Sequence, residues 1–166
     1  TLGQGVASGL PDAADDMDPI ELFRAWLEAA TESGILLPEA MSLATVSEDG
    51  APSVRMVLLK EAEAAGFVFF TNFGSRKAKE IDATPKAALC FHWAVLHRQV
   101  RVAGAVARIS EEESAAYFAT RGRGSQIGAW ASKQSQRLDE RAALEARVTE
   151  VTEQFADGDI PLPTFW

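Results

Sequence analysis

From Ser114 to Leu138 the chain has no carboxylate, although its 166 residues carry 24 acids against 16 Lys and Arg and a formal charge of -8. Other absences bound the chemistry as firmly. A single cysteine, Cys90, excludes an internal disulfide and fits a reducing compartment, so a cytoplasmic location is expected. Two histidines and one cysteine are too few and too badly spaced for a structural zinc, and no metal is expected. No apolar run approaches the ~20 residues of a membrane span. No cationic-then-apolar leader opens the chain, so no membrane association is expected. Gly-x-Ser-x-Gly elbows, Walker loops and dinucleotide fingerprints are all missing, which removes the commonest hydrolase and nucleotide-binding readings.

What is present is unevenly charged. Residues 1–50 hold ten acids and Arg24 as the one base, whereas residues 64–110 hold Glu80 and Asp82 against seven bases. Positive potential is thus concentrated in the middle of the chain and in the acid-free window. That pattern suits a small anionic ligand, not a nucleic acid. Within the window, Arg121-Gly-Arg-Gly-Ser-Gln-Ile-Gly-Ala-Trp-Ala-Ser-Lys-Gln-Ser-Gln-Arg137 offers four cations, short hydroxyl and amide donors, and glycines that let backbone N–H groups approach a ligand.

Residues 1–17 are small, polar and aperiodic and read as a flexible tail; Thr1 itself reads as a fragment start or a processed end. Residues 18–166 read as one domain. Asp18-Pro19 starts a helix whose stripe of Ile20, Phe23, Trp26, Leu27 and Ala30 faces a core, and Gly34 ends it. Strands are expected at Met41–Ser47, Ser53–Lys60, Phe67–Asn72, Ala87–Ala94 and Arg98–Ile109, with a bulge at Gly104. Short turns between them imply antiparallel pairing. Helices are expected from Ser75 to Thr84, after the capping box Ser110/Glu113, and from Leu138 to Phe155. The fold class is therefore mainly β with peripheral helices (α+β), closing as a small antiparallel barrel.

Two stretches oppose the ordinary placement of charge. Arg55 and Lys60 bracket the four apolar residues Met56, Val57, Leu58 and Leu59; read alone, they are strand-end charges in water. Phe70-Thr71-Asn72 leads through Gly74 into a helix whose first turn carries Arg76 and Lys77. Cations there oppose the helix dipole unless an anion sits among them, so a phosphate is expected at that helix start. His92 and His97 read as a strand and a turn residue, Cys90 as an inert core thiol, and Trp93 and Trp130 as packing.

These segments are ordered along the chain, together with Arg98-Gln99-Val100, Tyr117-Phe118, Ser132-Lys-Gln-Ser135 and Pro161-Leu-Pro-Thr-Phe-Trp166. In that order, from about residue 19 to the end, they resemble the pyridoxamine 5′-phosphate oxidase family. The resemblance implies an antiparallel FMN-binding split β-barrel that works as a homodimer with FMN at the subunit interface. Carried over by motif, Arg55, Met56, Val57, Leu58, Lys60, Phe70, Thr71, Arg76, Lys77, Gln99, Gln134 and Ser135 would bind the cofactor. Lys60, Tyr117, Arg121 and Ser125 would bind the substrate phosphate. Phe70 stands where the family often has Tyr, which keeps ring packing and loses a hydroxyl.

The activity implied is oxidation of pyridoxamine or pyridoxine 5′-phosphate to pyridoxal 5′-phosphate, with dioxygen reduced to hydrogen peroxide. The family's later strands, with an Arg-Leu-His stretch, would lie beyond Trp166, and no catalytic residue is assigned within the chain. Two other readings keep the same cofactor: a related flavin oxidase acting on another ring system such as a phenazine precursor, and a non-catalytic binder of FMN or pyridoxal phosphate.

Overall fold

A computed structural model describes residues 17–166, so nearly all of the expected tail falls outside the described residues. Six strands and five α-helices are formed there, and they separate into two compact units. The first runs to Phe69 and includes Lys86–Ala105; the second comprises Phe70–Pro85 and Val106–Trp166.

The first unit begins with α1 (Pro19–Glu32). The Asp18 carboxylate accepts from the Ile20 N–H at 2.7 Å, and Pro19 occupies the first turn, where its missing N–H costs nothing. Phe23 and Ala30 are buried, and Trp26 and Leu27 pack beside them, as the stripe predicts. β1 (Ala40–Val46) and β2 (Pro52–Leu58) form a hairpin paired from Ala40↔Leu58 to Val46↔Pro52, with Gly50 at φ +85° in the turn. β5 (Lys86–Trp93) and β6 (Arg98–Ala105) complete an antiparallel sheet of order β2-β1-β5-β6. Between them a 3-10 turn, Ala94–Leu96, ends at His97 in the left-handed region, φ +52°.

The alternation along these strands places the core. Met41, Leu43, Phe91 and Trp93 are buried on the inner face, and Phe23 meets Phe91 edge-on with ring centroids 4.9 Å apart. Each such side chain contributes on the order of 1.5–3 kcal/mol by burial. The Trp93 indole N–H donates to the Pro38 carbonyl at 2.8 Å, so its one polar atom is satisfied.

Three strand expectations change. Gly104 makes no bulge: pairing runs unbroken from Lys86↔Ala105 to Trp93↔Arg98, and the strand stops at Ala105. Lys60 lies beyond β2, which gives way to a small separate hairpin of β3 (Glu61–Glu63) and β4 (Gly66–Val68). Phe70 to Asn72 are not strand at all. Cys90 is half-buried on the sheet face opposite Leu89 and Phe91, so it is not a core thiol.

The second unit is helical. α2 (Arg76–Ala83) starts at Ser75, whose hydroxyl accepts from the Ala78 N–H. α3 (Glu111–Thr120) opens with the expected capping box, Ser110 and Glu113 each bonded to the other's backbone N–H. α4 (Arg123–Ala131) was not legible, because Gly122, Gly124 and Gly128 weaken every local helix signal. Packing overrides them: Ile127 and Ala131 are buried beside Phe118, and the buried Gln126 amide donates to the Phe118 carbonyl at 2.9 Å. α5 (Arg141–Gln154) and the terminal segment close this core through Val151 and Ile160. The last residues are held by backbone bonds from the Phe73 N–H to the Phe165 carbonyl and from the Trp166 N–H to the Pro163 carbonyl.

Candidate active site

The residues expected to hold ligands fall in both units. In the first unit, β2 divides them by parity. Arg55 lies opposite Leu43, on the inner face with Thr45 and Ser53. Its guanidinium donates to the Leu43 carbonyl at 3.0 Å, to Thr45 Oγ1 at 2.6 Å and to Ser53 Oγ. The reading of Arg55 as a strand-end charge in water is thus overturned. It is a half-buried, mid-strand donor held in place by carbonyl and hydroxyl oxygens. Val57 shares that inner face, whereas Met56 and Leu58 alternate to the outer one.

Gln99 pairs with His92 on the outer face, the face that also carries Met56. Lys60 is exposed just past the end of β2, with its backbone N–H bonded to the Val68 carbonyl.

In the second unit the expected residues gather at two places. One is the start of α2. Lys77 is only 8% exposed, and its ammonium donates to Gln134 Oε1 at 2.7 Å, Thr71 Oγ1 at 3.1 Å and Ser75 Oγ at 3.4 Å. Gln134, 57 residues further along the chain, thus joins Thr71 around the buried Lys77 cation. Ser135 follows with φ +64°, a left-handed conformation that costs a non-glycine residue about 1–3 kcal/mol. Arg76 points its Nε at Glu80 Oε1, 2.7 Å away, leaving the rest of an exposed guanidinium at the helix start.

Asn72 carries no sequence signal beyond its place in Phe70-Thr71-Asn72. It braces the segment: Oδ1 accepts from the Gly74 N–H at 2.7 Å and Nδ2 donates to the Ser132 carbonyl. A buried ammonium, short hydroxyls and amides, and a helix N-terminus without a first-turn acid form a donor set that fits a phosphomonoester.

The second place is the α3–α4 corner. Tyr117 stacks on Phe70 with centroids 4.0 Å apart, and Trp166 lies 5.2 Å from Phe70, all three ring planes within 7° of parallel. Arg121 caps the C-terminus of α3 and sets its guanidinium carbon 4.9 Å from the Trp166 ring centre. Its Nη1 is buried and has no hydrogen-bond partner. A buried cationic donor without an acceptor is expensive, and an anion at that atom removes the cost. Ser125, exposed in the first turn of α4, follows Arg121 by four residues across the break between the two helices.

Arg123, two residues away, has a different job. It donates to the carbonyls of Phe155 and, at 2.9 Å, Gly158, fastening the end of α5. Arg137 pairs with Asp139 at the surface, 3.1 Å apart.

An antiparallel sheet with helices packed as a separate unit, and a helical unit bearing two clusters of phosphate-type donors, define an α+β protein of the split-barrel class. Comparison with known proteins agrees and goes further. Residues 27–155 match the family model described as pyridoxamine 5′-phosphate oxidase.

The chain is 55% identical over its whole length to a pyridoxine/pyridoxamine 5′-phosphate oxidase of Psychromonas ingrahamii, spanning 76% of that protein. It is 51% identical, with the same coverage of both chains, to the enzyme of that name from Colwellia psychrerythraea. Among solved structures, PhzG from Burkholderia lata in complex with tetrahydrophenazine-1-carboxylic acid superposes with a TM-score of 0.87 at 28% identity, covering 94% of this chain and 77% of that one. A pyridoxamine 5′-phosphate oxidase-related FMN-binding protein of Nostoc punctiforme shares the fold at 20% identity and a TM-score of 0.63, covering 78% of this chain and 72% of that one. The chain belongs to the pyridoxamine 5′-phosphate oxidase family of oxidoreductases.

Proposed function

We propose that this protein is an FMN-dependent oxidase that converts pyridoxamine or pyridoxine 5′-phosphate to pyridoxal 5′-phosphate. The observation that carries the reading is the buried, unpartnered Nη1 of Arg121, in a family whose substrate bears a phosphate. Bound FMN would accept the two electrons and pass them to dioxygen, giving hydrogen peroxide. Pyridoxine phosphate thereby loses two hydrogens at its 4′ alcohol carbon to become the aldehyde. Pyridoxamine phosphate loses two hydrogens to an imine, and water then releases ammonia.

The chain's own residues bind and orient. Ser75, Arg76, Lys77 and Thr71 would take the FMN phosphate at the start of α2, with Gln134 and Ser135 beside it. Arg55, Met56, Val57, Leu58, Lys60, Phe70 and Gln99 complete the proposed cofactor set. Tyr117, Arg121, Ser125 and Lys60 would clamp the substrate phosphate, which converts binding energy into orientation of the reacting carbon. The working form would be a cytoplasmic homodimer with FMN at its interface. A phenazine-type substrate fits less well, because a ring acid without a phosphate ester does not need the set of donors at Arg121, Tyr117 and Ser125.

Arg121→Ala tests the reading. It should raise KM for pyridoxine 5′-phosphate by about 10–100-fold, as expected for loss of a charge-assisted bond. FMN affinity, read from flavin fluorescence quenching, should stay within about twofold. Unchanged substrate affinity would remove Arg121 from the phosphate site.

A further inference from the structure

We propose that Trp166 is the positioning residue that aims the Arg121 guanidinium at the substrate phosphate, an inference that rests on the phosphate reading above. Three observations meet at this indole. First, Arg121 places its guanidinium carbon 4.9 Å from the Trp166 ring centre and 5.6 Å from that of Phe118. Two aromatic faces therefore hold the cation without consuming its N–H donors, since a π-face attracts the charge and leaves hydrogen-bond directions open. The buried Nη1 is left with no protein acceptor. A carboxylate in place of the indole would have paired with that donor and competed with a phosphate.

Second, the same indole is parallel to the Phe70 ring at 5.2 Å and to the Tyr117 ring at 6.1 Å. Two layers of carbon contact span about 7 Å, so Tyr117 and Trp166 do not lie on opposite faces of Phe70. They form one parallel group that fixes the Tyr117 ring. Third, Trp166 is itself well anchored. Its N–H donates to the Pro163 carbonyl at 3.1 Å, and the preceding Phe165 carbonyl accepts from the Phe73 N–H at 2.6 Å. Its ring also meets the buried Phe118 edge-on at 5.1 Å. Trp166 thus relates Arg121 and Tyr117, which lie four residues apart on one helix end, through a segment more than forty residues away.

The test compares Trp166→Phe and Trp166→Leu with the FMN-loaded parent. The probes are 4-deoxypyridoxine 5′-phosphate and 4-deoxypyridoxine, titrated calorimetrically because neither carries an oxidisable 4′ carbon. Trp166→Leu, which keeps an apolar side chain and loses the π-face, should weaken the phosphorylated probe about tenfold. It should leave the unphosphorylated probe within about twofold. Trp166→Phe should restore most of the phosphate-dependent affinity. In an Arg121→Ala background, Trp166→Leu should add no more than about a further twofold, since the group it positions is gone.

Equal weakening of both probes would make Trp166 a general packing residue and overturn the proposal. So would full affinity in Trp166→Leu while Arg121→Ala still loses it. Full affinity for the phosphorylated probe in Arg121→Ala would instead overturn the phosphate reading, and this inference with it.

Discussion

Arg121 and Arg123 are two residues apart in the acid-free window and do unrelated work. Arg121 keeps a buried donor without a protein acceptor, whereas Arg123 spends its donors on the carbonyls that end α5. Arg123→Ala should therefore leave the affinity for a phosphorylated ligand unchanged. It should lower stability by about 1 kcal/mol, the usual net worth of such bonds at an exposed site. Thermal unfolding would show this as a fall of a few degrees, roughly 2–4 °C. A variant that loses ligand affinity at unchanged stability would reverse the assignment. Nothing in residue type separates these two arginines. The difference is which carbonyls the folded chain brings within reach. Arg55 carries the same lesson, because its spacing from Lys60, read alone, puts it at a strand end in water, whereas the inner face of β2 gives it three oxygen acceptors.

At the scale of elements, α3 is the clearest case of local sequence writing structure. Ser110 and Glu113 exchange side-chain and backbone bonds across the first turn, and those bonds hold the Glu113 carboxyl below its usual value. A lowered folded-state value means that Glu113 favours the folded state above the ordinary carboxylate range. That contribution is lost as pH falls through the lowered value. Urea midpoints between about pH 6 and about pH 3 should therefore differ between the parent and Glu113→Gln at the upper end and converge at the lower end. A gap that is constant with pH would assign the effect to packing instead.

α4 shows the opposite relation. Its glycines weaken a helix, and the buried Ile127, Ala131 and Gln126 supply what propensity does not. The Gly104 expectation failed for a related reason: a glycine permits a bulge, and regular pairing on β5 leaves no extra residue to bulge.

For the whole molecule, the informative surface is the outer face of the sheet at edge strand β2. Val54 and Met56 are 67% and 62% exposed there, large apolar side chains standing in water on a strand with one neighbour. An exposed apolar strand edge is a place for association, and the proposed homodimer would use it. Val54→Glu should convert the dimer to monomer in sedimentation, because a carboxylate buried without a partner is costly at an interface. If the cofactor sits at that interface, FMN should be lost in parallel, and a dimer that persists would place the contact elsewhere. Among the described residues no helix is long and apolar enough to cross a membrane, and no cluster of metal-ligating side chains occurs.

Local signals were enough for the helix caps at Asp18, Ser75 and Ser110, the β1–β2 turn and the alternation of the core strands. Each depends on neighbours a few residues apart, where the sequence speaks directly to backbone geometry. The motif order also identified the family, which the comparisons bear out. Contacts between distant segments were not legible, because no local rule specifies them. Only the tertiary structure sets Gln134 against Lys77, folds the terminal segment back so that Trp166 meets Arg121, and turns Arg123 toward the end of α5. Burial decides these partnerships, since a cation removed from water takes the acceptors or aromatic faces that packing places beside it.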